Sequence, residues 1–337
     1  VCGLFYQILI VRPGNISTMV KQNLVSFHII ERESSQQNLV TWTYPTLTDE
    51  LTAYLKARCF PPESDKDLFF YLRKNNLWMY IQNYFHKQKL TALIVVAEEF
   101  IPDKYKLLCD ILEKKYTKTS SPVELVKLYI NLISGKSIYY QENGSEIGLD
   151  LKARSTEVGI KDLISNFGLE IILIYNAILL KRRILIYHHD IEKLQKKMAP
   201  MTYLIPFRNL KDYLLPWIEN INELKGCSFY LAGTTEKNAL SNERYYDLYV
   251  NLLENEITIS KAAKDCFTMA KIHKDIALFL VQLSESDLSE IKVIEQIQNK
   301  TKDVVQQLYS IAVSRDNKKM VTMNDLKSKK YSPPLEN

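Results

Sequence analysis

His188, His189 and Asp190 stand side by side just after a run of branched apolar residues, and theirs are the side-chain types of a metal site. Zinc needs such groups to converge on one ion. Neighbouring residues on a strand point to opposite faces, so the two imidazoles would diverge. No further histidine lies nearby in sequence, and a strand end meeting solvent is the preferred reading. His273 falls on the apolar side of a helical pattern, where a core or boundary histidine is expected rather than a general base. Phosphate-binding chemistry lacks its usual signatures. The chain has only nine glycines and neither G-x-x-x-x-G-K-[ST] nor G-x-G-x-x-G. Gly144 and Gly148 share a polar loop without the Lys-Ser/Thr that would follow. G-x-S-x-G and H-E-x-x-H are absent too, so no nucleophile elbow or zinc-protease helix is expected. What remains is the basic triplet Lys181-Arg182-Arg183 inside "NAILLKRRILIYHH". Two readings stay open: a partner-binding patch, or cations answering the C-terminal dipole of the helix before them. No catalytic residue, cofactor or metal is expected.

The bulk numbers agree with a protein that works by surface. At 337 residues, 46% hydrophobic and 25% charged, the chain is an ordinary globular protein of one bilobal or two packed domains. A net charge of +5, interleaved with acids, does not indicate nucleic acid. Cys2, Cys59, Cys109, Cys227 and Cys266 are odd in number and contain no C-x-x-C, which fits a reducing compartment. The tripeptides at Asn15, Asn143 and Asn299 match the glycosylation pattern, but nothing else looks secreted. "VCGLFYQILIV" lacks a basic start and a small-residue cleavage site. Residues 1–18 read as an upstream extension before a natural start at Met19, or as a short anchor or targeting segment. The apolar run Leu169–Leu180 is about twelve residues, short of the roughly twenty a bilayer needs.

The elements that must position these residues follow from periodicity. "LVSFHII" and "NLVTWTYP" read as strands, "LTDELTAYLKARCF" as a short helix, and "NLWMYIQNYF" and "LTALIVVAEEF" as strands around "HKQK". In "DKYKLLCDILEKKY", Tyr105, Leu108, Ile111 and Leu112 have helical spacing. A small α+β unit therefore closes near Lys118. Ser121-Pro122-Val123-Glu124 reads as a capping box that opens a helix, with Leu125, Leu128, Tyr129 and Leu132 buried and Gly135 as its stop. A polar connector with short strands follows. "IKDLISNFGLEIILIYNAILL" reads as one helix, "ILIYHH", "MTYLIPF" and "CSFYLAG" as strands, and "LKDYLLPWIENI" as a loop or short helix. After the short strand "NEITIS", Ser260 is expected to cap a single helix that buries Ala262, Cys266, Met269, Ala270, His273, Ile276, Ala277 and Leu280. A second amphipathic helix carries Leu288, Ile291, Ile294, Ile297, Val304 and Leu308. Alternating helices and strands of this kind imply an α/β fold.

The segment "GIKDLISNFGLEIILIYNAILLKRRILIYHHDIEKLQ", followed in order by "MTYLIPF", "CSFYLAG" and "NEITIS", resembles the DENN family. "SPVELVKLYINLISG", "QENGS", "YDLYVNLLENEITIS", "MAKIHKDIALFLVQ" and "KKYSPPLEN" are similar to its smallest branch, a single DENN module. The resemblance runs from about Lys21 to Asn337 and leaves residues 1–20 unmatched. It implies an upstream longin-like lobe over 21–118, a central α/β lobe over 119–235 and a downstream helical part over 236–337. In that branch a further apolar helix follows, so a final helix is expected to be missing here. The resemblance also implies a guanine-nucleotide exchange factor for a Rab GTPase, gripped between the lobes. It implies cytoplasmic action on late endosomes in vesicle and protein transport, with membrane association only through partners and no transmembrane segment. An alternative implied by the same branch is a non-enzymatic subunit of the endosomal Commander recycling assembly.

Overall fold

Nine-residue strand Leu24–Arg32 (β1) lies inside an antiparallel sheet and buries the run Ser26 to Ile30. The computed structural model describes residues 23–33, 37–62, 67–134, 138–142, 145–149, 158–205, 208–311, 313–315 and 318–320. Residues 1–22, Gly135, Asn143 and Gly144, the later part of the polar connector, and the tail lie outside the described residues, with the expectations placed on them.

The first lobe continues through Asn38–Tyr44 (β2), helix Asp49–Arg58 (α1), and strands Leu68–Lys74 (β3), Leu77–His86 (β4) and Lys89–Ala97 (β5). Helix Pro102–Thr119 (α2) covers β4 and β5. The strand order is β2-β1-β5-β4-β3, antiparallel throughout. The predicted strands and helices of this lobe are all present, and β3 is an addition. "LFFYLRK" lacks alternation because it is buried on both faces. Its turn to β4, Asn75-Asn76, has φ of 52° and 62°, a left-handed pair that asparagine tolerates.

Helix Pro122–Ile133 (α3) packs beside α2 and onto β1, burying Leu125, Tyr129 and Leu132. The capping box does not form. The Ser121 side chain makes no cap hydrogen bond, and Glu124 is drawn sideways to Lys127 (2.6 Å) and Lys115 (3.5 Å). Strands Ile138–Glu142 (β6) and Ser145–Leu149 (β7) form the short hairpin expected in the connector.

The expected long helix after the connector is two helices, Ile160–Phe167 (α4) and Ile171–Leu179 (α5). Gly168, at φ 52° and ψ −130°, breaks it in a conformation that L-residues rarely adopt. By length and composition Ile160–Leu179 could cross a membrane, yet here its halves bury Ile160, Ile164, Ile171, Ile174 and Ile178 in the core. Strand Ile184–Tyr187 (β8) follows, then helix Ile191–Met198 (α6), capped by Asp190 through Lys193 N–H at 2.9 Å. "MTYLIPF" is not a strand. Residues Ala199–Tyr203 form a 3-10 turn, and Pro206 and Phe207 are not described. "LLPWI", read as loop or helix, is strand Leu214–Ile218 (β9). An internal proline is compatible with a strand only at an edge, and β9 is one.

Strands Leu231–Thr234 (β10), Leu248–Asn251 (β11) and Glu256–Ile259 (β12) complete a second sheet, ordered β12-β11-β8-β10-β9 and parallel except for β12. Gly233 is required in β10, since a Cβ there would lie 2.6 Å from the Pro216 carbonyl. Ser260 does not cap a helix; its hydroxyl is buried without a partner. A 3-10 stretch from Lys261 to Phe267 comes first, burying Ala263 and Phe267 and leaving Ala262 and Met269 exposed. Helix Lys271–Glu285 (α7) then begins, where His273 Nδ1 accepts the Ala270 N–H at 2.9 Å. Helix Glu290–Ile311 (α8) buries Val293, Ile297 and Thr301, and Ile291 faces out. The Glu290 carboxylate receives the N–H groups of Val158 and Gly159, serving as the missing cap of α4. The architecture is thus an α/β protein of two lobes.

Candidate functional site

Each sheet turns one edge toward the other: β3 from the first lobe and β9 from the second. Two unpaired edges meeting would leave buried backbone donors and acceptors unsatisfied, at a cost of about 1–3 kcal/mol for each group. Gln195 resolves this. On α6, Ile191, Leu194 and Met198 supply the apolar face, and Gln195 occupies a fully buried position beside them. Its Oε1 accepts the Tyr71 N–H at 2.9 Å, and its Nε2 donates to the Tyr71 carbonyl at 2.7 Å. The same Nε2 lies 3.5 Å from the Pro216 carbonyl on β9. A side-chain amide thereby takes the place of a neighbouring strand. The Tyr71 hydroxyl donates back to the Gln195 carbonyl at 3.1 Å, and burial pushes the phenol far above its ordinary pKa, so it stays a donor.

Arg58, the last residue of α1, makes the second link. Its guanidinium lies 4.6 Å from the centre of the Trp217 ring. It donates to the Trp217 carbonyl at 3.1 Å and to Glu223 Oε1 at 3.0 Å, with Glu219 3.8 Å from Nε. Glu223 also accepts the N–H groups of Glu219 and Asn220, which fixes the carboxylate for Arg58. Phe70 meets Trp217 edge-on at 6.3 Å. At the rim, Arg73 pairs with Asp212 at 3.1 Å and Lys106 with Glu192 at 2.9 Å, while Tyr213 is 39% exposed. The seam therefore has buried contacts inside, with two ion pairs and the exposed ring of Tyr213 at its rim.

The sequence-predicted residues lie elsewhere. In the basic triplet, Lys181 sits at φ 52° in the left-handed position that ends α5. The Lys181 and Arg182 N–H groups bond back to the Ile178 and Ala177 carbonyls, a Schellman closure. Arg183 is committed to Asp247, with Nη2 to Oδ1 at 3.0 Å, and to the Arg244 carbonyl at 2.6 Å. Only Lys181 is fully exposed. The cation that answers the end of α5 is Arg208, whose Nη1 donates to the Ile178 and Leu179 carbonyls at 2.6 and 3.0 Å. No local pattern points from residue 208 to a helix end about thirty positions upstream.

His188 and His189 do not diverge. Their rings stack at 4.7 Å because β8 has ended at Tyr187 and strand alternation no longer applies. His188 Nδ1 accepts the Asp190 N–H, and His189 is exposed. Among the described residues, no three His, Cys, Asp or Glu groups are placed to hold an ion. On α2, burial, aided by Asp67 and Asp110, pushes Glu113 up to about 7. Gln195 and Arg58, the residues that define the seam, were not singled out from the sequence. The one available signal was a glutamine at the buried phase of "IEKLQKKM".

Two sheet-based lobes, joined edge to edge through Gln195 and Arg58, make up the module. The comparisons agree on its kinship. A family profile described as "Stabilization of polarity axis" matches residues 159–261, the stretch that holds all five strands of the second sheet. DENN domain-containing protein 10 of Danio rerio is 32% identical over 330 residues, covering 93% of this chain and 94% of that protein. Its Mus musculus counterpart is 31% identical over 340 residues, covering 96% and 95%. The Dictyostelium discoideum protein of the same name is 25% identical over 337 residues, covering 90% and 92%. The chain belongs to the DENN domain-containing protein 10 family.

Proposed function

We propose that this protein is a guanine-nucleotide exchange factor for a Rab GTPase of the late endosomal or secretory route. The observation that carries the reading is the seam. Gln195 and Arg58 join the lobes as one body, so a partner seated on the rim meets a preformed surface. Exchange needs no nucleophile, acid or metal from the factor. A nucleotide bound at nanomolar to picomolar affinity is held by about 12–16 kcal/mol. The factor lowers that by binding the nucleotide-free GTPase better than the loaded one. Such differential binding takes a broad surface, on the order of 2,000 Å². The exposed Lys106–Glu192 pair at the rim can be re-paired by a partner without leaving a buried charge.

The test is release of a fluorescent guanine nucleotide from a panel of purified Rabs. Acceleration of at least one Rab is expected. No acceleration at roughly tens of micromolar protein, together with stable co-purification with Commander subunits, would replace this reading with a docking role in that assembly.

A further inference from the structure

Helices α2 and α3 lie side by side on one face of the first sheet, yet their outward sides differ in kind. Outward residues of α2 are polar, among them Lys114, Lys115 and Lys118. Outward residues of α3 include Val123 (60% exposed), Ile130 (45%) and Ile133 (42%), with Val126 half-buried between them. A helix apolar nearly all round is normally enclosed, whereas this one is enclosed only through Leu125, Tyr129 and Leu132. Its outer stripe is accompanied by cations. Lys127 lies on the same face, and Lys115 and Lys118 end α2 where α3 begins. Lys87, at the tip of the β4–β5 turn, is held at the same end of the lobe by the His86 to Ser120 contact of 3.2 Å. Of the carboxylates at this end, Glu124 is shared between Lys115 and Lys127, and Glu31 pairs with Lys89 next to the same turn.

We infer that the outer face of α3 docks directly on an anionic lipid bilayer, its branched side chains entering the headgroup boundary and the surrounding lysines meeting acidic headgroups. Exposed apolar residues beside lysines are the composition of an interfacial helix. A second copy of the chain fits less well, because a symmetric contact would set these lysines against each other. A few aliphatic side chains are also far short of the roughly 1,600 Å² of a standard stable interface. This contact is direct, and it would hold the lobe to the membrane whether or not a GTPase is bound.

The experiment is co-sedimentation of the full chain with vesicles. One set is phosphatidylcholine alone, and the other contains roughly one part in four phosphatidylserine. The protein is expected to pellet with the serine-containing vesicles, not with the neutral ones, and to be released at about 0.5 M salt. Ile130→Asp and Lys127→Glu should each weaken the partition on the order of tenfold. Lys264→Glu, an exposed charge reversal on the second lobe, should leave it unchanged. An unchanged melting temperature in Lys127→Glu separates lost docking from lost folding. Absence of pelleting on anionic vesicles, or equal pelleting of all variants, would overturn the inference. So would a dimer in sedimentation velocity that Ile130→Asp splits.

Discussion

The two sheets reach the same layered form by opposite means. In the first lobe the antiparallel strands run seven to ten residues, and two of their connections, β3 to β4 and β4 to β5, are tight turns. In the second, strands of four or five residues are separated by helices and 3-10 turns up to β11, which turns directly into β12, and β8 and β10 are buried throughout. A four-residue apolar strand buried on both faces has no period to read. The difference also decides where the lobes join. Both seam strands, β3 and β9, are edges of their sheets, and both are closed by side chains from a distant part of the chain.

The largest expected effect probes the shorter strands. Gly233→Val places side-chain atoms against the Pro216 carbonyl, Leu194 and Met198, so β9 and α6 must shift. A loss of about 3 kcal/mol is expected in urea unfolding. A neutral outcome would mean that the second sheet is not close-packed at β10.

Next comes Arg58→Met, which removes the guanidinium from Trp217 and Glu223 and should cost about 2 kcal/mol, since Glu223 keeps access to water. Gln195→Met strands the Tyr71 N–H and carbonyl, two groups at the low end of about 1–3 kcal/mol each, and should cost about 2 kcal/mol as well. Amide exchange in β4 reports on the first lobe and in β8 on the second, and the two should open together when the seam is intact. They should separate when both seam residues are replaced.

How much of this was legible in the sequence follows from the same contrast. β1, β2, β4, β5 and α2 announce themselves through turns, alternation and helical spacing, as does β12. β3 and β9 do not, because contact with the other lobe removed the alternation of one and Pro216 disguised the other. The single long helix expected before β8 was broken at Gly168, where a positive φ interrupts an otherwise continuous apolar pattern. The seam itself was illegible. Tyr71 and Gln195 are 124 positions apart, and a glutamine at the buried phase of its helix does not name its partner. The basic triplet drew notice because it is a run, whereas Arg208, which caps α5, is solitary.

The smallest effect at neutral pH belongs to His28, buried in β1 between Ser26 Oγ and Thr43 Oγ1, each 2.7 Å from a ring nitrogen. Burial lowers its pKa to about 4. The unfolded chain binds the proton more readily, so stability should fall as pH drops from about 6.5 toward 4 and level off below. Glu113 acts in the opposite sense. Its contribution is present in acid and is lost as pH rises through about 7. The difference in pH profile between the wild type and His28→Gln isolates the histidine. Identical slopes would show that His28 is not held neutral by burial.

The central claim is that the two lobes act on a GTPase as one body. Its most direct test is Rab nucleotide release by the wild type and by the Arg58→Met, Gln195→Met double variant, compared at equal folded fraction. The account predicts that the wild type accelerates release from at least one Rab and that the unlatched protein loses most of that acceleration. Acceleration that survives unlatching, or its absence with every Rab, would contradict it.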